Sequence, residues 1–176
     1  MIGIKNDSYV IGHSGTHGTG KTTAACQKIV DLKVQYPGKS IRVLCDLESL
    51  CPYPINKTGS RRTQAWLFSN QINQELTNLQ RFDIVVTDRT VVDVIGYTHA
   101  LGFHNLAESM QTYAAQHITI YKKIYCKKII SNPYHHADGI REAEDKLFRQ
   151  DVEDAILTSY DNLMAQNFLT GDIYFV

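Results

Sequence analysis

One octapeptide constrains this chain more than anything else in it. Residues 15–22 read GTHGTGKT, which satisfies G-x-x-x-x-G-K-[ST] at every fixed position. Before it, residues 8–14 (SYVIGHS) read as a short strand. After it, residues 21–36 read as a helix, because Ala25, Ile29, Leu32 and Tyr36 recur at helical spacing, and Pro37-Gly38 stops it. The chemistry needs each part. Gly15, Gly18 and Gly20 let the backbone curl without Cβ clashes, and a curled backbone aims its N–H groups inward as an anion nest. The helix starting near Lys21 adds the positive end of its dipole. Lys21 brings a full charge to the β- and γ-phosphates of a nucleoside triphosphate, and Thr22 offers Mg²⁺ a hydroxyl. Thr16, His17, Thr19 and Thr23 complete the stretch expected to hold the nucleotide, with ATP and Mg²⁺ as the cofactors. A Gly-rich turn with an exposed lysine leaves the spacing unexplained.

Strand and helix signals alternate along the rest of the chain. Residues 41–45 (IRVLC) and 82–87 (FDIVVT) are β-branched apolar runs, a strand is favoured near residues 123–129, and residues 172–176 (DIYFV) read as a last one. Helices are expected over residues 63–79, with Ala65, Phe68, Ile72, Leu76 and Leu79 as one apolar stripe, and over 91–101 and 106–117. A long helix is expected over 140–163, with Phe148, Val152, Ala155, Ile156 and Leu163 on one face. Residues 51–60 and 131–139 read as loops. This order implies an α/β sandwich around a mostly parallel sheet.

Composition narrows the function classes. At 176 residues the chain suits a single domain. Eighteen basic and eighteen acidic residues give zero formal charge, which argues against a polybasic nucleic-acid binder. Hydrophobic residues at 43% argue against a disordered chain. No apolar run approaches the roughly 18–20 residues that span a bilayer, and residues 1–10 lack the pattern of a secretory signal. Cys26, Cys45, Cys51 and Cys126 form no C-x-x-C pair and are expected as reduced thiols, several of them buried. A cytoplasmic location follows from these readings.

Asp88 closes the third strand (IVVTD), at the carboxyl edge where α/β sheets bind ligands. Beside the glycine loop it can hold Mg²⁺ or its water; Asp also favours helix N-caps, and the two roles can coexist, but the residues that follow favour the metal role. Arg89 follows at once, placed to contact an anionic or oxygen-rich acceptor, and Thr90, Asp93 and Tyr97 come after it.

With these residues in view, the sequence resembles the P-loop nucleoside and nucleotide kinases, in particular the small AAA_28 group related to nicotinamide-riboside kinase domains. The resemblance is carried by GTHGTGKT at 15–22, DRTVVDVIGY at 88–97 and DGIREAEDKLFRQ at 138–150. CPYPINK at 51–57, QAWLF at 64–68 and the Gln71/Glu75 pair match more weakly. It implies a P-loop NTPase three-layer sandwich, with a central parallel sheet of about five strands and a helical lid over about 131–149. It also implies an acid at the end of the second strand that faces the acceptor hydroxyl and acts as its general base. Asp46 is the matching position, where the family usually has Glu with an Arg three residues on; here Ser49 stands there. Glu48 competes for that role if the strand continues that far. The lid would exclude water, and Arg141 or Arg149, eight residues apart, would reach the transferred phosphoryl group; Arg141 is preferred. Asp46, Trp66, Arg89 and Asp93 are the expected acceptor contacts, with Trp66 as a stacking surface.

Other signals read more plainly. His135-His136 near Asp138 lacks a third metal ligand of convincing spacing. His17 is expected to line the phosphate turn. Lys122, Lys123, Lys127 and Lys128 read as a solvated strand edge protected by lysines.

The resulting expectation is an ATP-dependent phosphotransferase that moves the γ-phosphoryl group to a small nucleoside- or nucleotide-like acceptor. Rivals are a kinase acting on a hydroxymethylated pyrimidine base within DNA, since similar small kinases accompany hypermodified phage DNA, and a simple ATPase or non-catalytic ATP-binding switch. A phage origin would put the chain in a host cytoplasm. No membrane partner is expected, DNA is not the favoured partner, and a homodimer stays open.

Overall fold

The computed structural model describes residues 7–129 and 146–176. Five strands, β1 (Tyr9–Ser14), β2 (Ile41–Leu44), β3 (Ile84–Thr87), β4 (Tyr121–Cys126) and β5 (Asp172–Phe175), form one parallel sheet in the order β2-β3-β1-β4-β5. Among the described residues five α-helices accompany them: α1 (Lys21–Gln35), α2 (Arg61–Leu79), α3 (Val91–Ala100), α4 (His104–His117) and α5 (Lys146–Ala165). The alternation expected from the sequence is met, with ends moved by a few residues. Among the described residues no helix is long and apolar enough to cross a membrane.

The sheet separates two apolar layers. On one face α1 covers Ile11, Ile84 and Val86 with Ala25 and Leu32. On the other, residues of α2 to α5 pack with Val10, Val85 and Ile124 in a larger core. Its centre is α3, where every residue from Val91 to Thr98 is buried, as befits a helix enclosed all round. Gly96 lets α5 approach α3: a Cβ there would stand 2.4 Å from Ile156 Cγ1. The stripe expected on α5 is the one it buries.

Three expectations are corrected. α2 turns inward Gln64, Leu67, Phe68, Gln71, Glu75 and Leu79, while Ala65 is exposed. Its inner face meets polar partners: Gln71 Nε2 donates to Thr87 Oγ1 (3.0 Å) and to the Arg89 carbonyl (2.9 Å). Glu75 accepts from the Tyr121 hydroxyl and lies 2.6 Å from His117 Nε2. Hydrophobic periodicity misses a face whose burial is satisfied by hydrogen bonds. β4 is no edge strand, for β1 and β5 pair it on both sides. Of its lysines, Lys122 covers the Tyr9 ring at 4.5 Å and Lys128 the Phe175 ring at 6.0 Å. Of the cysteines, only Cys126 is buried; Cys45 and Cys51 are half-buried and Cys26 is exposed, all as free thiols.

Candidate active site

β1 and β3 are neighbours in register, Gly12 beside Thr87, so their carboxyl ends deliver the glycine loop and Asp88 to the same edge of the sheet. The loop follows β1 directly. Gly15 (φ +132°) and Gly20 (φ +75°) adopt backbone conformations that side chains resist, and a Cβ on Gly15 would lie 2.3 Å from the Lys127 carbonyl oxygen. Gly20 is the N-cap of α1, so the free amides of the first helical turn open onto the loop.

Asp93 fixes the loop from below. Its Oδ1 accepts from the Ser14 hydroxyl and the Gly15 amide, each at 2.7 Å, and its Oδ2 from the Thr90 amide at 2.6 Å. It is fully buried, and burial, opposed by Lys21 and these donors, raises its pKa. Asp93, expected from the sequence as an acceptor contact, has both oxygens occupied by protein donors.

Lys21 folds back so that Nζ donates to the Thr16 carbonyl (2.7 Å). Burial lowers its pKa to about 8, against the pull of Asp93. Thr22 Oγ1 donates to Asp88 Oδ2 at 2.7 Å. Burial raises the Asp88 pKa while the Thr22 hydroxyl opposes the rise. One carboxylate and one hydroxyl make a hard, oxygen-only pair that suits an ion which keeps most of its ligands as water and phosphate, as Mg²⁺ does. Among the described residues no group of three His, Cys, Asp or Glu could cage a metal by itself.

The second acid resolves differently from its expected place. β2 ends at Leu44, and the chain turns through a left-handed residue, Asp46 (φ +54°), into a 3₁₀ turn at Leu47–Leu50. Strand alternation therefore stops before it can align Glu48 with Asp46. Asp46 stands exposed, its amide donating to Asp88 Oδ2 at 3.3 Å. Glu48 turns inward, 6% exposed, and its Oε1 pairs with Arg89 Nη2 at 3.1 Å. Burial opposes the Arg89 charge, but Glu48, then Tyr97, Asp93 and Asp88, outweigh it and raise the guanidinium pKa.

Glu48 and Arg89 line a small hollow with His17, Asn56, Gln64 and Tyr97. The Arg89 guanidinium lies 5.3 Å over the Tyr97 ring. The Tyr97 hydroxyl accepts the His17 amide at 3.0 Å and lies 2.7 Å from His17 Nδ1. His17 thus joins the tip of the glycine loop to the wall of the hollow. Trp66 packs partly buried against the core and does not line it. Arg149 is buried on the inner face of α5; Arg141, the His135-His136 pair and most of the expected lid lie outside the described residues. Asn56, Gln64 and the inward turn of Glu48 were missed by sequence reasoning. A polar spacing of 64, 71 and 75 on one face of α2 was the available signal for part of this wall.

No family model and no curated protein matches the sequence. Solved structures do match the fold. The NadR protein in complex with NAD and AMP-PNP superposes with a TM-score of 0.67 at 14% identity, over 96% of this chain and 44% of that one. Thymidylate kinase from Ehrlichia chaffeensis gives 0.62 at 15% identity, over 96% and 87%. Deoxyadenosine kinase from M. mycoides with bound dATP gives 0.55 at 13%, over 96% and 90%. The chain spans less than half the length of the NadR protein and most of the length of the other two. What is shared at these identities is the fold, three α/β layers around a central parallel sheet.

Proposed function

We propose that the chain is a phosphotransferase that moves the γ-phosphoryl group of ATP to a nucleoside- or nucleotide-like acceptor. The observation that carries this reading is the joint between loop and hollow: His17 belongs to the glycine loop, and Tyr97, to which it is bonded, walls the hollow that holds Glu48 and Arg89. The hollow as it stands has room for about one water, so an acceptor would seat at its mouth, against Glu48 and Arg89, where it would neighbour a donor phosphate on the loop, as in-line transfer requires.

In this reading the loop amides and Lys21 hold the triphosphate. Thr22 and Asp88 would hold Mg²⁺, whose charge offsets that of the phosphates. Arg89 orients the acceptor and Glu48 accepts the proton of its attacking hydroxyl, the role expected of Asp46 from the sequence. A carboxylate already ion-paired is a weak base, so its main contribution is alignment, with proton transfer late in the step. Asn56 and Gln64 supply neutral amides suited to ribose hydroxyls or base edges, while Arg89 suits a phosphate; the combination fits the nucleoside and nucleotide class.

The test is an ADP-release screen over nucleosides, monophosphates, nicotinamide riboside and oligonucleotides with hydroxymethylated pyrimidines, each with and without Mg²⁺. Acceptor-dependent ADP release by the wild type, abolished in Lys21→Ala, is the expected outcome. Release that no acceptor changes would make the chain an ATPase, and ATP binding without release a switch.

A further inference from the structure

The lysines around β4 remain unused by this reading, and one of them stands apart. Lys127 follows β4 and continues its pairing with β1, its amide donating to the Ser14 carbonyl at 2.8 Å. Its own carbonyl oxygen is the atom that a Cβ on Gly15 would strike. Its ammonium, at the other end of the loop, lies 3.4 Å from the Gly20 carbonyl oxygen and 3.8 Å from where a Gly20 Cβ would be. Lys127 therefore spans the glycine loop from its first position to its sixth. The Gly20 contact is long for a hydrogen bond, and an ammonium has three donors. Among the described residues no carboxylate pairs with it.

The two cations at the loop occupy opposite ends of it. Lys21 Nζ sits at the Thr16 carbonyl, buried; Lys127 Nζ sits at Gly20, half-buried, beside the first turn of α1. We propose that Lys127 is a second phosphate-binding cation, outside the G-x-x-x-x-G-K-T motif, that grips the polyphosphate chain of the donor nucleotide at the α1 end of the loop. The inference rests on the reading of the loop as the ATP site. An ammonium at that place faces the phosphates nearer the nucleoside, while Lys21 faces those farther along. Its backbone is already held at the entry of the loop, the amide by the Ser14 carbonyl, so the stem starts beside the site that the ammonium serves.

The measurement is equilibrium binding of ATP, ADP and AMP to the full chain, at several salt concentrations, for the wild type and for Lys127→Met, Lys127→Ala and Lys127→Arg. Lys127→Met keeps the apolar stem and removes only the charge, and circular dichroism confirms the fold of each variant. The expected result is about a tenfold or greater loss of ATP and ADP affinity in Lys127→Met and Lys127→Ala. A shallower dependence of log Kd on log salt should accompany it, and Lys127→Arg should recover most of the affinity. A structural role would weaken binding in Lys127→Arg as well and leave the salt slope unchanged. Lys127→Met binding ATP within about twofold of a wild type that itself binds overturns this proposal alone. A wild type that binds no ATP overturns it together with the reading beneath it.

Discussion

The Asp93 carboxylate on the first turn of α3 receives the amide of Gly15 at 2.7 Å, so the entry to the glycine loop is bolted to the most deeply buried of the described helices. The same carboxylate serves Ser14 and Thr90. Asp93→Ala leaves these buried donors without an acceptor, each at about 1–3 kcal/mol. The expected loss is about 3 kcal/mol in urea unfolding with a parallel loss of ATP affinity, and unchanged affinity in a destabilised variant would separate the bolt from the site.

Glu48 and Asp46 give opposite expectations. With an acceptor identified, Glu48→Gln should lower kcat by about 10²-fold or more while ATP binding stays near that of the wild type. Asp46→Asn, on the exposed left-handed turn, should stay within about threefold of wild type in kcat. The reverse ranking would return the acceptor-facing role to Asp46.

Lys21 predicts a proton uptake. Burial lowers its pKa to about 8, and a bound polyphosphate favours the charged form and raises it. Near pH 8 roughly half of the free molecules carry it neutral, so ATP binding should take up about half a proton there and close to none at pH 6.5. Calorimetry in two buffers of different ionisation enthalpy reads this number, and Lys21→Met should remove it.

His13 predicts an acid sensitivity. It lies on β1 stacked on Tyr125 at 5.3 Å, with no hydrogen-bond partner at either ring nitrogen. Burial first, then Lys127 and Lys28, lower its pKa to about 4. The unfolded chain binds this proton near pH 6.5 and the folded one resists it. Stability is therefore full above pH 6.5 and falls as the pH drops toward 4, by on the order of 2–3 kcal/mol from this group. His13→Phe keeps a stacking ring, and its thermal stability should fall less than that of the wild type between those two pH values. Parallel curves would assign the acid loss to other groups.

Much of this arrangement was legible in the chain itself. The octapeptide at 15–22 marks the loop because only a few residue types tolerate its curl, and the apolar run 84–87 marks β3 because a strand buried on both faces has no polar side. Asp88 was placed by the same logic, and Thr22 meets it. Less could be read where burial is polar or where the chain leaves its regular period. Gln64, Gln71 and Glu75 look like solvent-facing residues until their partners on α3, β3, α4 and β4 are known. Glu48 turns inward because the strand ends at Leu44, a boundary that an apolar run continuing to Cys45 conceals. Lys127 looks like one of four similar lysines, and only the pairing of β4 with β1 brings it to the loop.

The enclosure of α3 has a consequence for how the molecule breathes. Eight successive residues without an outward face leave no place for water to enter one turn at a time, so their amides should exchange with deuterium only when the whole molecule opens. The segment carrying Asp93 and Tyr97 would then be the last to take up label, and the glycine loop and the hollow that depend on it would wander least.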